Sequence, residues 1–102
     1  MTLLGAVGGG CLDPFRAAEN NAILKLDALT LQCIRTSSSS TCQKALTYAE
    51  VLQRNAAAQG NYGCQTRLLG LQADLLMIGF KTVRTRSALL MLKEAKSLCK
   101  RL

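Results

Sequence analysis

The residues of this chain whose chemistry is easiest to name are its five cysteines, Cys11, Cys33, Cys42, Cys64 and Cys99. Twenty-one residues separate Cys11 from Cys33, eight separate Cys33 from Cys42, and twenty-one more precede Cys64, a spacing symmetric about the serine-rich "CIRTSSSSTC" of residues 33–42. A thiol can ligate a metal, attack an electrophile, oxidise to a disulfide or sit reduced in a core, and the surrounding residues weigh these against one another. Zinc is disfavoured, because the chain has no His and no C-x(2-4)-C pair of ligand spacing. Without His the commonest general base is missing, and the six acidic residues are scattered. Cys99 stands between Lys96 and Lys100, and nearby cations favour thiolate. Its place at a helix C-terminus opposes that, so a structural role is expected. Asp74 lies in an apolar stretch one step off a Leu71/Leu75 stripe, and is expected to turn toward solvent or a loop. The glycines of "GAVGGG" (5–10) lack the following Lys-Ser/Thr of a phosphate loop, so no cofactor is expected and the reading is non-enzymatic.

The elements that must position these cysteines are helices. Half of the 102 residues are hydrophobic, about two thirds of that as Leu and Ala, with two Phe, two Tyr, no Trp and a single Pro, a mixture that favours helix over strand. Asp13-Pro14 reads as an N-cap followed by Pro at the first helical position. From there Phe15, Ala18, Ala22, Leu26, Leu29 and Cys33 recur at three- and four-residue steps, which predicts a helix over 13–35. The serines halt it, because their side chains compete for the backbone. Cys42, Ala45, Ala49, Leu52 and Ala56 predict a second helix over 41–59, capped by Ser40 or Thr41 and stopped at Gly60. Cys64, Leu68, Leu71, Leu75 and Ile78 predict a third over 64–79; with Leu69, Leu76, Met77 and Phe80 it is apolar nearly all round and is expected to be the most buried. A fourth is predicted over 83–101, capped by Thr82 or Thr85, with Ala88, Met91, Leu92, Ala95, Leu98, Cys99 and Leu102 on one side. No Pro separates helices three and four, so a continuous helix is the alternative there. The expectation is one all-α domain over 1–102, a small antiparallel bundle of about four helices behind an N-terminal arm of residues 1–12.

In such a bundle every cysteine falls in phase with an apolar stripe. Cys33 and Cys42 would clamp the mouth of the first hairpin. At the other end two pairings stand open, Cys11 with Cys64 or Cys64 with Cys99, and either leaves one cysteine free, lipidated or bonded to another chain. Disulfides imply an oxidising compartment (periplasm, lumen, intermembrane space or secreted), whereas reduced cysteines acting as small hydrophobes would imply the cytoplasm. The opening "MTLLGAVGGGC" looks a little like the tail of a lipoprotein signal, with Cys11 in the lipidated place, yet it lacks a basic n-region and its apolar part is short. The paired-cysteine hairpin over residues 11–64 resembles, in outline, the twin-cysteine helical hairpins of the mitochondrial intermembrane space, with far longer spacers. "AAAQGNYGCQTRLLGLQA" is similar to the turn of one tetratricopeptide repeat, without a second copy at the expected period.

Charge is uneven along the chain. Of the net +7, residues 81–102 carry +6, as Lys81, Arg84, Arg86, Lys93, Lys96, Lys100 and Arg101 against Glu94 alone. These seven form the candidate binding face. The leading expectation is an accessory or assembly subunit that docks this basic helix on an acidic or membrane-associated protein. The alternative is direct binding of nucleic acid or an anionic membrane by the same face. Helix four has no aromatic side chain for base stacking. No segment is long and apolar enough to span a bilayer, Leu68–Phe80 being short and interrupted by Gln72 and Asp74.

Overall fold

A computed structural model describes the backbone of residues 14–100 and the side chains of residues 22–100. The arm of residues 1–12 with Cys11, the Asp13 cap, the side chains of Phe15 and Ala18, and Arg101 and Leu102 lie outside the described residues. Four helices follow one another: α1 (Pro14–Thr36), α2 (Ser39–Ala58), α3 (Tyr62–Gly79) and α4 (Thr85–Leu98). They run as an antiparallel bundle. At one end Ser37, between α1 and α2, receives a hydrogen bond from the Lys81 ammonium at the end of α3. At the other the Asn61 side-chain amide at the start of α3 donates to Leu98 O of α4 at 3.0 Å.

The buried positions follow the three- and four-residue periodicity: Leu26 and Cys33 on α1, Cys42, Ala45, Ala49, Leu52 and Ala56 on α2, Cys64, Leu68, Leu71, Leu75 and Ile78 on α3, Ala88, Leu92 and Ala95 on α4, then Cys99. The α2 stripe is mostly alanine and the α3 stripe mostly leucine, so the branched side chains of α3 fill the room that α2 leaves, and these two helices pack most extensively. Helix α1 lies chiefly on α2 and reaches both α3 and α4, while α2 and α4 do not meet. Helix α3 is buried along one face only. Leu69 and Leu76 on its far side and Phe80 just beyond it are exposed, so its all-round apolar sequence does not translate into all-round burial. Where α3 meets α4 the approach is close: a Cβ at Gly70 would fall 2.8 Å from Met91 Sδ.

Helix ends differ from the expected ones by a few residues, for identifiable reasons. The break in the serine run is only Ser37–Ser38, because the Ser38 side chain accepts from Thr41 N–H (3.4 Å) and lets α2 begin at Ser39. Ser38, rather than Ser40 or Thr41, is the cap. Asn61 caps α3 by accepting from Cys64 N–H at 3.2 Å, which starts the helix at Tyr62. The expected break between α3 and α4 is present, and neither Thr82 nor Thr85 caps α4: Arg84 occupies the N-cap position and no side chain serves it. Three helices end through a residue in the left-handed region, Ser37 (φ 49°), Gly60 (φ 73°) and Lys81 (φ 67°). After α2, Gly60 N–H and Asn61 N–H return to Ala57 O and Ala56 O; after α3, Lys81 N–H and Thr82 N–H return to Ile78 O and Met77 O. Both are Schellman closures.

The cysteines resolve into two pairs. Cys33 and Cys42 are joined with Cα atoms 4.4 Å apart, clamping the α1–α2 hairpin as the spacing predicts. Cys64 pairs with Cys99, Cα atoms 5.0 Å apart, which decides between the two pairings open at that end and leaves Cys11 out of both. Each disulfide therefore ties one hairpin, one at each end of the bundle.

Candidate docking surface

Helix α4 presents two unlike faces because its apolar residues keep to one side. Ala88, Leu92 and Ala95 turn inward, and steps of four, three and four residues place Arg86, Leu90, Lys93 and Ser97 along a single outward line, all exposed, with Lys100 exposed just past the helix end. Arg86 and Ser97 stand about 17 Å apart along this line. Its middle is apolar: Leu90 is 50 % exposed, and Leu89 beside it 42 %.

The flanks of α4 are electrostatically occupied. Toward α3, Glu94 meets Arg67 at 2.5 Å, a close ionic contact in which Arg67 Nε lacks a well-directed hydrogen bond. Toward α1, the Lys96 ammonium lies 3.6 Å from Asp27. Lys96 is thus drawn aside from the outward line with which its sequence position groups it. On α2, Glu50 is bound by Arg54 at 2.6 Å. These pairs are half exposed, and each contributes at most about 1 kcal/mol to stability. Their larger effect is on what remains, since they occupy three of the four described carboxylates.

Asp74 is the fourth, and it corrects an expectation. Only 6 % exposed, it turns inward between α3 and α4 and accepts a hydrogen bond from the Ser87 hydroxyl at 2.5 Å. The α3 stripe alone hides this. Ser87 lies thirteen residues away on the next helix, and only the tertiary approach of α4 supplies the donor that makes an inward Asp tolerable.

Of the seven basic residues singled out from sequence, Arg86 and Lys93 share the outward line, Lys100 is exposed just past the end of α4, and Arg84 is exposed at its N-cap. Lys81 lies in the α3–α4 turn with its ammonium on Ser37 O, Lys96 pairs with Asp27, and Arg101 is outside the described residues. Sequence reasoning did not include Leu90 in the face, although its position four after Arg86 and three before Lys93 marks it. A second surface, a concave one, lies between α1 and α2, where the Lys25 ammonium stands 4.9 Å over the Tyr48 ring beside Leu29, Lys44 and Val51. Cys99 is held in the disulfide, so it offers no thiol. Among the described residues no three His, Cys, Asp or Glu side chains converge on a point that could hold a metal ion. No protein-family model matches the chain, and neither the curated proteins nor the solved structures contain a match to it.

Proposed function

We propose that this protein is a non-enzymatic docking module, an accessory or assembly subunit whose outward α4 line receives an acidic segment of a larger protein. The observation that carries the reading is a mismatch of charge. All four described carboxylates are already engaged within the fold, while Arg86 and Lys93 stand exposed on either side of the apolar Leu90 and Lys100 is exposed just past the end of α4. A surface that is apolar in the middle and cationic at its ends suits a helix or strand bearing carboxylates on either side of an apolar residue. Nucleic acid is the less favoured occupant, because the line has no ring on which a base could stack. The two disulfides support an oxidising compartment as the place of work.

The test is to place a photo-reactive residue at Ser97 in the native cell, identify the adduct, and measure its affinity with purified components. The expected adduct is a protein with an acidic surface. Its Kd should weaken at least about tenfold for Lys93→Glu/Lys100→Glu, and weaken again as salt rises from about 50 mM to about 500 mM. An adduct with nucleic acid, or an affinity indifferent to both changes, would overturn the reading.

A further inference from the structure

The two most exposed large hydrophobic side chains of the described molecule lie within four residues of each other, Phe80 at 71 % and Val83 at 91 %, in the turn between α3 and α4. Single exposed hydrophobes are ordinary. Two at one tip of the bundle, inside a cationic frame, are not. Lys81, Arg84 and Arg86 surround them in sequence, and Arg35 at the end of α1 is exposed at the same end. The chain between residues 28 and 49, which builds the α1–α2 side of this end, contains no Asp or Glu, nor does the chain between residues 75 and 93. Asp74 is the nearest carboxylate in sequence, and it is turned inward onto Ser87.

We infer that the α3–α4 turn is the contact tip for an anionic lipid bilayer, Phe80 and Val83 entering the interfacial layer while Arg35, Arg84 and Arg86 meet the lipid phosphates. The charge of the tip is complementary to an anionic headgroup layer, and the apolar pair has a hydrocarbon boundary to enter, which neither a soluble phosphate nor a nucleic-acid backbone offers. The contact is peripheral, because no described helix is long and apolar enough to cross a membrane. It uses a different part of the molecule from the outward α4 line, sharing only Arg86 with it.

The chain contains no Trp, so Val83→Trp gives a single reporter. With the full, oxidised protein and vesicles of phosphatidylcholine containing about 30 % phosphatidylglycerol, its emission should shift to the blue; vesicles of phosphatidylcholine alone should leave it unchanged. Sedimentation should show anionic vesicles binding the parent protein about tenfold or more tightly than Phe80→Ser/Val83→Ser. Each of Arg84→Gln and Arg86→Gln should cost about fivefold. Circular dichroism and melting of each variant should match the parent, and glycerol phosphate should not compete. Equal binding to neutral vesicles would overturn the proposal. So would anionic binding that ignores Phe80→Ser/Val83→Ser, or DNA or RNA binding tighter than vesicle binding. Phe80→Ser/Val83→Ser should leave the Ser97 adduct intact, so the two readings fail separately.

Discussion

The two ends of this bundle are closed by the same kinds of device made from different residues. At the Cys64–Cys99 end the left-handed position after α2 is filled by Gly60, the α3 cap is Asn61, and one amide serves two helices: Asn61 Oδ1 accepts from Cys64 N–H while Nδ2 donates to Leu98 O. Acidic and basic side chains are interleaved along α4 nearby. At the Cys33–Cys42 end the left-handed positions are filled by Ser37 and Lys81, which carry a Cβ that this region penalises. Hydroxyls do much of the bonding there: Thr36 Oγ1 lies 2.6 Å from Thr41 Oγ1 and donates to Gln32 O at 2.9 Å. The first end is built for economy of backbone strain. The second accepts strain at Ser37 and Lys81 and retains an unbalanced positive surface.

The largest test of this contrast is to remove the disulfides one at a time. Their sequence separations are 35 for Cys64–Cys99 and 9 for Cys33–Cys42, for which the chain-entropy relation gives about 3.8 and about 2.6 kcal/mol. Cys64→Ala/Cys99→Ala should therefore lower the denaturant midpoint more than Cys33→Ala/Cys42→Ala. The reverse order would mean that the hairpin mouth, not the long closure, governs stability. Next comes Asn61→Ala, which deletes both a cap and a tie between helices and should cost about 2 kcal/mol in chemical denaturation. Asn61→Asp keeps the acceptor toward Cys64 N–H but loses the donor toward Leu98 O, and should fall between parent and Ala. The smallest effects concern the left-handed residues. Ser37→Gly and Lys81→Gly should each raise stability by up to about 1 kcal/mol, Lys81→Gly by less because it also loses the bond to Ser37 O, whereas Gly60→Ala should lower stability by about 1 kcal/mol.

Much of this architecture was legible in the sequence because it depends on periodicity. The stripes through Cys33, Ala49, Leu71 and Leu92 each identify a helix and its inward face, and the short gap of residues 36–40 implies that the first two helices lie side by side. The clamp at Cys33 and Cys42 follows from that. What was not legible depends on contacts across the fold. Asp74 lies among inward positions but becomes acceptable there only when Ser87 arrives from the next helix. Asn61 reads as one turn residue among several in "GNYG" until α4 ends beside it. Lys81 in a left-handed conformation defies the preference for Gly, and its bond to Ser37 O joins residues 44 positions apart. The basic face was visible as a charge excess, but not its subdivision. Only the partners at Asp27 and Glu94 show which cations the fold keeps for itself.

The two sulfur bridges have a topological consequence. Cys33–Cys42 spans the serine connection and Cys64–Cys99 spans the α3–α4 connection, and among the described cysteines none spans Gln59–Asn61. A protease cutting between Ser37 and Ser38, or within Phe80–Arg84, would leave its fragments covalently attached. A single cut at the exposed Gln59–Gly60 peptide would instead release two separate polypeptides, each an intact hairpin with its own bridge, held to one another only by the alanine-on-leucine seam between α2 and α3 and the lesser contacts of α1.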